Sequence, residues 1–190
     1  MPYDPQKHRR RSIRLKGYDY SQAGAYFITI CINHGECRLG NNQNGVMVPS
    51  PAGEMVIECW FALHDRFPAI NLDAFGLMPN HLHGILFNTK TDYNRQNNPI
   101  LLGNVLGALK SISTNQYIKG VKEHNWEPFD KRLWQRNYYE HIIRNERSLN
   151  AIRIYINDNP VNWHEDKLHP DAPSNTFNKS WKRPSIPPNP

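Results

Sequence analysis

Apolar residues cluster in several short segments along the chain, and their spacing predicts both strands and helices. Residues 25–32 (AYFITICI) are rich in β-branched and aromatic side chains, which suit a pleated sheet. Residues 70–78 and 81–87 predict two more strands, separated by a Pro-Asn pair, and residues 134–143 predict a fourth. The Asn/Gly-rich residues 40–45 predict a turn after the first strand.

Three other segments have the spacing of amphipathic helices. Ser50-Pro51 has the sequence of an N-cap followed by proline at the first helical position, and apolar residues recur at steps of four after it. Residues 102–118 place their apolar side chains on one face. We expect a third helix with Ser148 as its N-cap, ending at Asn159-Pro160, because proline cannot donate the next backbone hydrogen bond.

The predicted order is strand, helix, strand, strand, helix, strand, helix. Interleaved helices and strands with short, hairpin-like links are typical of α+β proteins. We therefore expect an α+β sandwich with a mainly antiparallel sheet and helices packed on it.

The positive charge of the chain is concentrated at its ends. The 190 residues carry a net charge of +6. Residues 1–17 hold six basic side chains and one acidic one (net +5), and residues 166–190 hold four basic and two acidic ones (net +2). Residues 18–165 carry −1. These differences predict a basic N-terminal arm, one core domain and a Pro-rich C-terminal tail. The arm is either a solvated leader or a segment that contacts phosphates.

Composition excludes several classes of protein. Three cysteines without a CxxC pair, Cys31, Cys37 and Cys59, argue against a disulfide scaffold and a zinc ribbon, and favour a reducing cytoplasm. No apolar stretch approaches the ~20 residues of a membrane span. The N-terminus lacks the apolar core of a secretory signal. The motifs of P-loop hydrolases, dinucleotide-binding folds, α/β-hydrolases and zinc proteases are absent from the sequence.

Two pairs of residues have a spacing that suits chemistry. His81 and His83 lie two apart on a predicted strand, so both imidazoles share one face while Leu82 enters the opposite layer. They are either half of a divalent metal site or two histidines on a sheet surface. Tyr155 and Asn159 lie four apart on the last predicted helix, one turn from each other. By spacing alone, Tyr155 is also compatible with the edge of a core, and Asn159 with a helix end.

A third candidate is the block WQRNYYEH at residues 134–141, followed by Arg144. It mixes aromatic rings with cations such as Arg136, a composition suited to stacking on bases and pairing with phosphates. A strand with one aromatic face in the core and one charged face in water explains the same pattern.

Taken together, these segments resemble one known family. The chain contains, in this order, the blocks AYFITICI, LMPNHLHGIL, LWQRNYYEHIIRN and AIRIYINDNPVNW. They resemble the single-tyrosine HUH (IS200-like) transposases, and most closely the REP-associated tyrosine transposase branch. The resemblance covers residues 17–165, so the arm and the tail lie outside its diagnostic blocks.

The resemblance implies a ferredoxin-like α+β domain that cuts and rejoins single-stranded DNA, here in repetitive hairpin elements. It assigns the HUH motif to His81, Leu82 and His83, and the nucleophile to Tyr155. It places Asn159, where many insertion-sequence members have Gln, as the third ligand of Mg²⁺ or Mn²⁺. Single-stranded or hairpin DNA is then the partner, and the protein acts as a monomer or a homodimer.

The family's chemistry is transesterification: the tyrosine attacks phosphorus, forms a 5′-phosphotyrosine and frees a 3′-OH, which can later reverse the step. Tyr138 and Tyr139 are rival nucleophiles, although they fall on a predicted strand. Two other functions stay open: a non-catalytic homologue that binds structured nucleic acid, and a nuclease that uses water. DNA contacts are expected from six arginines, namely Arg9, Arg10, Arg11, Arg14, Arg136 and Arg144.

Overall fold

A computed structural model describes residues 22–89 and 101–173. The basic arm with Arg9, Arg10, Arg11 and Arg14, and the tail beyond residue 173, lie outside the described residues. The strands are β1 (Gly24–Cys31), β2 (Gly40–Gln43), β3 (Val46–Pro49), β4 (Ile70–Met78), β5 (His81–Asn88) and β6 (Tyr139–Ile143). The helices are α1 (Pro51–Phe61), α2 (Leu63–Arg66), α3 (Leu102–His124) and α4 (Glu146–Asp158).

The main sheet has four strands in the order β4-β5-β1-β6. Every neighbouring pair is antiparallel. Together with α1 and α3, these strands follow the β-α-β-β-α-β order of ferredoxin-like folds. The expected α+β class and mainly antiparallel sheet are therefore confirmed. Strands β2 and β3 form a separate two-stranded hairpin.

Helices cover both faces of the main sheet because its strands alternate apolar side chains between two layers. On one face, Tyr26, Ile28 and Ile30 join the core under α1 and α3. On the other face, Phe27 and Ile85 pack with the apolar side of α4. The active-site candidates of β5 and α4 thus share the second layer. Among the described residues, no helix is long and apolar enough to span a membrane.

Several predicted boundaries agree with the structure. Ser50 is the N-cap of α1, and its hydroxyl accepts a hydrogen bond from the backbone N–H of Gly53. Strand β4 spans the predicted residues 70–78, and β5 begins at the predicted residue 81. Helix α4 ends at Asp158, with Asn159 as its C-cap. Local signals were sufficient at these positions because capping and proline act within one turn.

Three predicted boundaries were wrong. The N-cap of α4 is Asn145 rather than Ser148, because the Asn145 side chain accepts from the Ser148 backbone N–H at 2.8 Å. Of the strand predicted at 134–143, only β6 is regular, while Trp134 forms an isolated bridge with Ile32. Of the turn predicted at residues 40–45, only Asn44 and Gly45 form a turn, at the tip of the β2–β3 hairpin, while residues 40–43 form strand β2.

Candidate active site

His81 and His83 point into the layer between the main sheet and α4. Alternation along β5 sends Leu82 into the opposite core under α1 and α3. Both imidazoles are fully buried, and their Nε2 atoms lie 3.0 Å apart. The strand spacing that the sequence indicated therefore produces a pair of nitrogens that face each other.

Each imidazole is held through its other ring nitrogen. Nδ1 of His81 lies 2.8 Å from Oδ1 of Asn80, and Nδ1 of His83 lies 2.8 Å from the hydroxyl of Thr29. The Asn80 amide nitrogen donates to the carbonyl oxygens of Gly35 and Leu168, which leaves its Oδ1 as the acceptor for His81. The proton of His81 therefore sits on Nδ1, and its Nε2 lone pair can accept a hydrogen bond or bind a metal ion.

Burial makes both histidines neutral. Loss of hydration lowers the pKa of His81 to about 3. The pKa of His83 is also well below its usual range, first because of burial and then because of its neighbour His81. Neutral imidazole is the form that binds metal ions, so protons do not compete for this pair near neutral pH.

Tyr155 lies over the histidine pair from α4. Its hydroxyl oxygen is 3.5 Å from Nε2 of His83. The half-buried ring meets Phe27 edge-on, with a centroid distance of 6.0 Å. Burial raises the pKa of the Tyr155 phenol, the negative charge of Asp166 adds to the increase, and a hydrogen bond from Asn159 acts in the opposite direction.

Asn159 and Asp166 complete the polar cluster. The buried Asn159 donates from Nδ2 to Oδ2 of Asp166 at 3.2 Å, while its Oδ1 has no hydrogen-bond partner among the described residues. Oδ2 of Asp166 lies 3.8 Å from Nε2 of His81. One donor atom from each of His81, His83 and Asp166 falls within 4.8 Å of the others.

Asp166 was not identified as a site residue from the sequence, which assigned it to the Pro-rich tail. The chain turns back after Pro160 through a short 3₁₀ turn at Trp163–Glu165. Leu168 is buried, and its carbonyl oxygen accepts from Asn80. Leu168 is an apolar residue in a polar segment, and this was the sequence signal that the segment packs against the domain. It does not identify Asp166 as a site residue.

The donor set fits a divalent cation. It offers two neutral imidazole nitrogens and a carboxylate oxygen, and Asn159, whose carbonyl oxygen has no partner among the described residues, is hydrogen-bonded to that carboxylate. A buried polar atom without a partner is costly, and a cation would satisfy it. The hydrogen bonds that join the Nδ1 atoms of the two imidazoles to Asn80 and Thr29 are of the kind that orients metal-binding histidines in other proteins.

The other predicted site residues lie elsewhere in the structure. Tyr139 packs edge-on against Phe27 in the core beside α4, and the ring of Tyr138 lies 5.8 Å from the ammonium of Lys110. Arg136 and Arg144 are exposed. Of the predicted aromatic block, Trp134 and Tyr139 are thus core residues, while its arginines face solvent.

Comparison with known proteins identifies the family of the chain. The family profile described as "Transposase IS200 like" matches residues 63–159, which include His81, His83, Tyr155 and Asn159. An uncharacterized protein of Haemophilus influenzae (strain ATCC 51907 / DSM 11121 / KW20 / Rd) is 40% identical over 180 residues, which cover 89% of this chain and 98% of that protein.

The fold also has a solved counterpart. The structure of a REP-associated tyrosine transposase bound to a REP hairpin covers 82% of this chain and 78% of its own, with 19% identity and a TM-score of 0.55. At this identity the likeness concerns the fold. Because the family profile spans half of the sequence, the chain belongs to the IS200-like transposase family.

Proposed function

We propose that this transposase cleaves and rejoins single-stranded DNA through a 5′-phosphotyrosine intermediate, with Tyr155 as the nucleophile. The observation that carries the proposal is the 3.5 Å distance between the Tyr155 hydroxyl and Nε2 of His83. A nucleophile beside a site for a divalent cation is an arrangement suited to metal-assisted phosphoryl transfer.

His81, His83 and Asn159 would hold Mg²⁺ or Mn²⁺, with Asp166 as a further ligand or as the group that orients Asn159. The mixed nitrogen and oxygen set favours Mn²⁺ over Mg²⁺, which prefers oxygen ligands. When bound, the ion would polarise the scissile phosphate and offset its negative charge.

The reaction conserves the number of phosphodiester bonds. Tyr155 loses its proton, and a bond forms between its oxygen and phosphorus. The bond to the 3′ oxygen breaks, and that oxygen takes up a proton to become a free hydroxyl. The reverse step, with a different 3′-OH, joins a new strand without any other energy source.

DNA hairpins are the substrate that we propose, and the exposed Arg136 and Arg144 would contact phosphates. We also propose that the basic residues 1–17 bind DNA. We propose that the transposase domain begins at residue 18 and continues beyond residue 166, where the sequence predicts the start of the tail. The reason is that Asp166 is hydrogen-bonded to Asn159 and Leu168 is buried.

A covalent adduct tests the proposal. The full-length protein is incubated with a single-stranded hairpin oligonucleotide and Mn²⁺, and a covalent protein–DNA adduct is measured on a denaturing gel. We expect an adduct that EDTA prevents and that Tyr155→Phe abolishes. Tyr138→Phe and Tyr139→Phe are matched controls and should retain it. An adduct that survives in Tyr155→Phe but is lost in either control refutes the assignment.

A second function, binding of structured nucleic acid without cleavage, is favoured by one observation. Burial, and after it the negative charge of Asp166, raises the pKa of the Tyr155 phenol, and a neutral phenol is a weak nucleophile. Tight hairpin binding without an adduct, over several repeat sequences and both metals, would support this function. Cleaved DNA without trapped protein would instead indicate attack by water.

A further inference from the structure

The β2–β3 hairpin has two different faces. Its register pairs Asn41 with Val48 and Gln43 with Val46. These four side chains lie on one face, and all are exposed, with Val46 at 63%. Two amides and two valines thus form an outer face that we call the hairpin face.

The opposite side of the hairpin is attached to the domain beside the candidate active site. The amide nitrogen of Asn42 donates to the carbonyl oxygen of Pro160 at 2.6 Å, and Met47 packs against the main core. Pro160 directly follows Asn159, so this bond connects the hairpin to the end of α4, one turn beyond Tyr155. Val161, which is 64% exposed, lies beside the turn of the hairpin, since a Cβ at Gly45 would be 3.3 Å from its Cα.

The tip of the hairpin is a tight, hydrogen-bonded turn. Asn44 and Gly45 both have positive φ angles, 53° and 82°, as in the two-residue turns that match the twist of a β-hairpin. The side chain of Asn42 accepts from the backbone N–H of Gly45 at 3.0 Å. A pre-organised surface loses little entropy when it binds a partner.

The hairpin carries no ionisable side chain, since residues 39–53 contain no Asp, Glu, Lys, Arg or His. An uncharged surface gains nothing from the counterion release that drives phosphate binding. Amides, in contrast, can pair with the edges of unpaired bases, and valines can contact base rings and the thymine methyl group. The chemistry of the hairpin face therefore suits bases rather than the backbone.

We propose that the hairpin face (Asn41, Gln43, Val46 and Val48) contacts the unpaired bases next to the phosphate that Tyr155 attacks, and so selects the cleavage sequence. The inference rests on the proposed function and adds to it the element that determines specificity. The hairpin is bonded to Pro160, just beyond the end of α4, so this face would lie within reach of the bases that flank a phosphate at Tyr155.

The test measures binding rather than cleavage. Full-length protein carrying Tyr155→Phe, in EDTA, is titrated with fluorescent oligonucleotides that share one hairpin stem and differ in the unpaired bases beside it. Fluorescence anisotropy gives the Kd for each sequence at several salt concentrations. Gln43→Ala and Val46→Ser each change one member of the same cross-strand pair. We expect each to reduce discrimination, which is the ratio of the Kd values for different sequences, by about tenfold. The slope of log Kd against log salt should stay the same.

Matched controls come from the exposed surface of α3. Asn115→Ala and Ile118→Ser remove one exposed amide and one exposed apolar side chain, and they should leave discrimination unchanged. The inference is overturned if the hairpin variants discriminate between sequences as well as the parent does. It is also overturned if the parent does not discriminate between them. A shift from dimer to monomer in the hairpin variants overturns it too, because it assigns this face to a second copy of the chain. The adduct assay tests the proposed function separately, so either idea can fail alone.

Discussion

Asn80 and His81 are joined through their side chains, with 2.8 Å between Oδ1 of the amide and Nδ1 of the imidazole. The same amide donates to the carbonyl oxygens of Gly35 and Leu168. One fully buried side chain therefore fixes the tautomer of His81 and secures the segment that carries Asp166.

Loss of the hydrogen bonds behind the histidines should weaken metal binding. Thr29→Val is nearly isosteric and removes the hydroxyl beside Nδ1 of His83. We expect the Kd for Mn²⁺, measured by isothermal titration calorimetry, to rise about 10- to 100-fold, and Asn80→Ala to act similarly. Thr114→Val removes a hydroxyl that bonds only within α3, and serves as the control. Unchanged affinity in Thr29→Val would contradict the role of this bond.

Replacement of Asp166 should affect two quantities in the site. In Asp166→Ala the Kd for Mn²⁺ should rise at least tenfold, because the cluster loses its carboxylate. The pKa of the Tyr155 phenol should fall, because a negative charge nearby is removed. Ultraviolet titration of the tyrosines, compared with Tyr155→Phe in the same background, measures this pKa. Glu165→Ala, one residue away and exposed, should change neither quantity.

Stability without metal should fall in mild acid. The buried His81 stays neutral until about pH 3, whereas a histidine in the unfolded chain binds its proton near pH 6.5. Because the unfolded state binds more protons between these values, the free energy of unfolding falls as the pH is lowered. His81 alone contributes a loss of about 2 kcal/mol between pH 7 and pH 5.

Urea unfolding in EDTA at pH 5, 6 and 7 measures this pH dependence. Burial also lowers the pKa of the His83 imidazole. His83→Gln removes this group and should therefore lose less stability on acidification than the parent. His164→Gln removes an exposed ring and should keep the full dependence. Equal pH dependence in His83→Gln and the parent would mean that burial of this ring is not linked to protonation.

Two glycines should respond to alanine in opposite directions. A Cβ at Gly84 would lie 2.2 Å from the ring of the fully buried Trp60. Gly84→Ala should therefore cost about 1–3 kcal/mol of unfolding free energy. At Gly107, inside α3, a Cβ meets nothing within 4 Å, so Gly107→Ala should stabilise by about 0.5–1 kcal/mol. Thermal unfolding of both variants measures the two changes in stability. A Gly84→Ala variant as stable as the parent would contradict the close packing of Trp60 against β5.

Much of the fold could be predicted from local signals. Two apolar segments separated by Pro79-Asn80 predicted β4 and the start of β5, and Ser50-Pro51 marked the start of α1, because turn and capping signals act between near neighbours. The prediction of Ser148 as the N-cap of α4 was wrong because the local sequence offers two candidates. Asn145 and Ser148 both have suitable side chains, and only the backbone at Asn145 has the extended conformation of a cap.

The sequence by itself determined that His81 and His83 share a strand face and that Tyr155 and Asn159 share a helix face, since both spacings follow from backbone geometry. Tertiary structure alone decided that the two faces meet, with the Tyr155 hydroxyl 3.5 Å from His83. It also brought in Asp166, from a segment that composition had assigned to a tail. Its position depends on a chain reversal and a buried amide contributed by Asn80, a contact across 88 residues that no local pattern encodes.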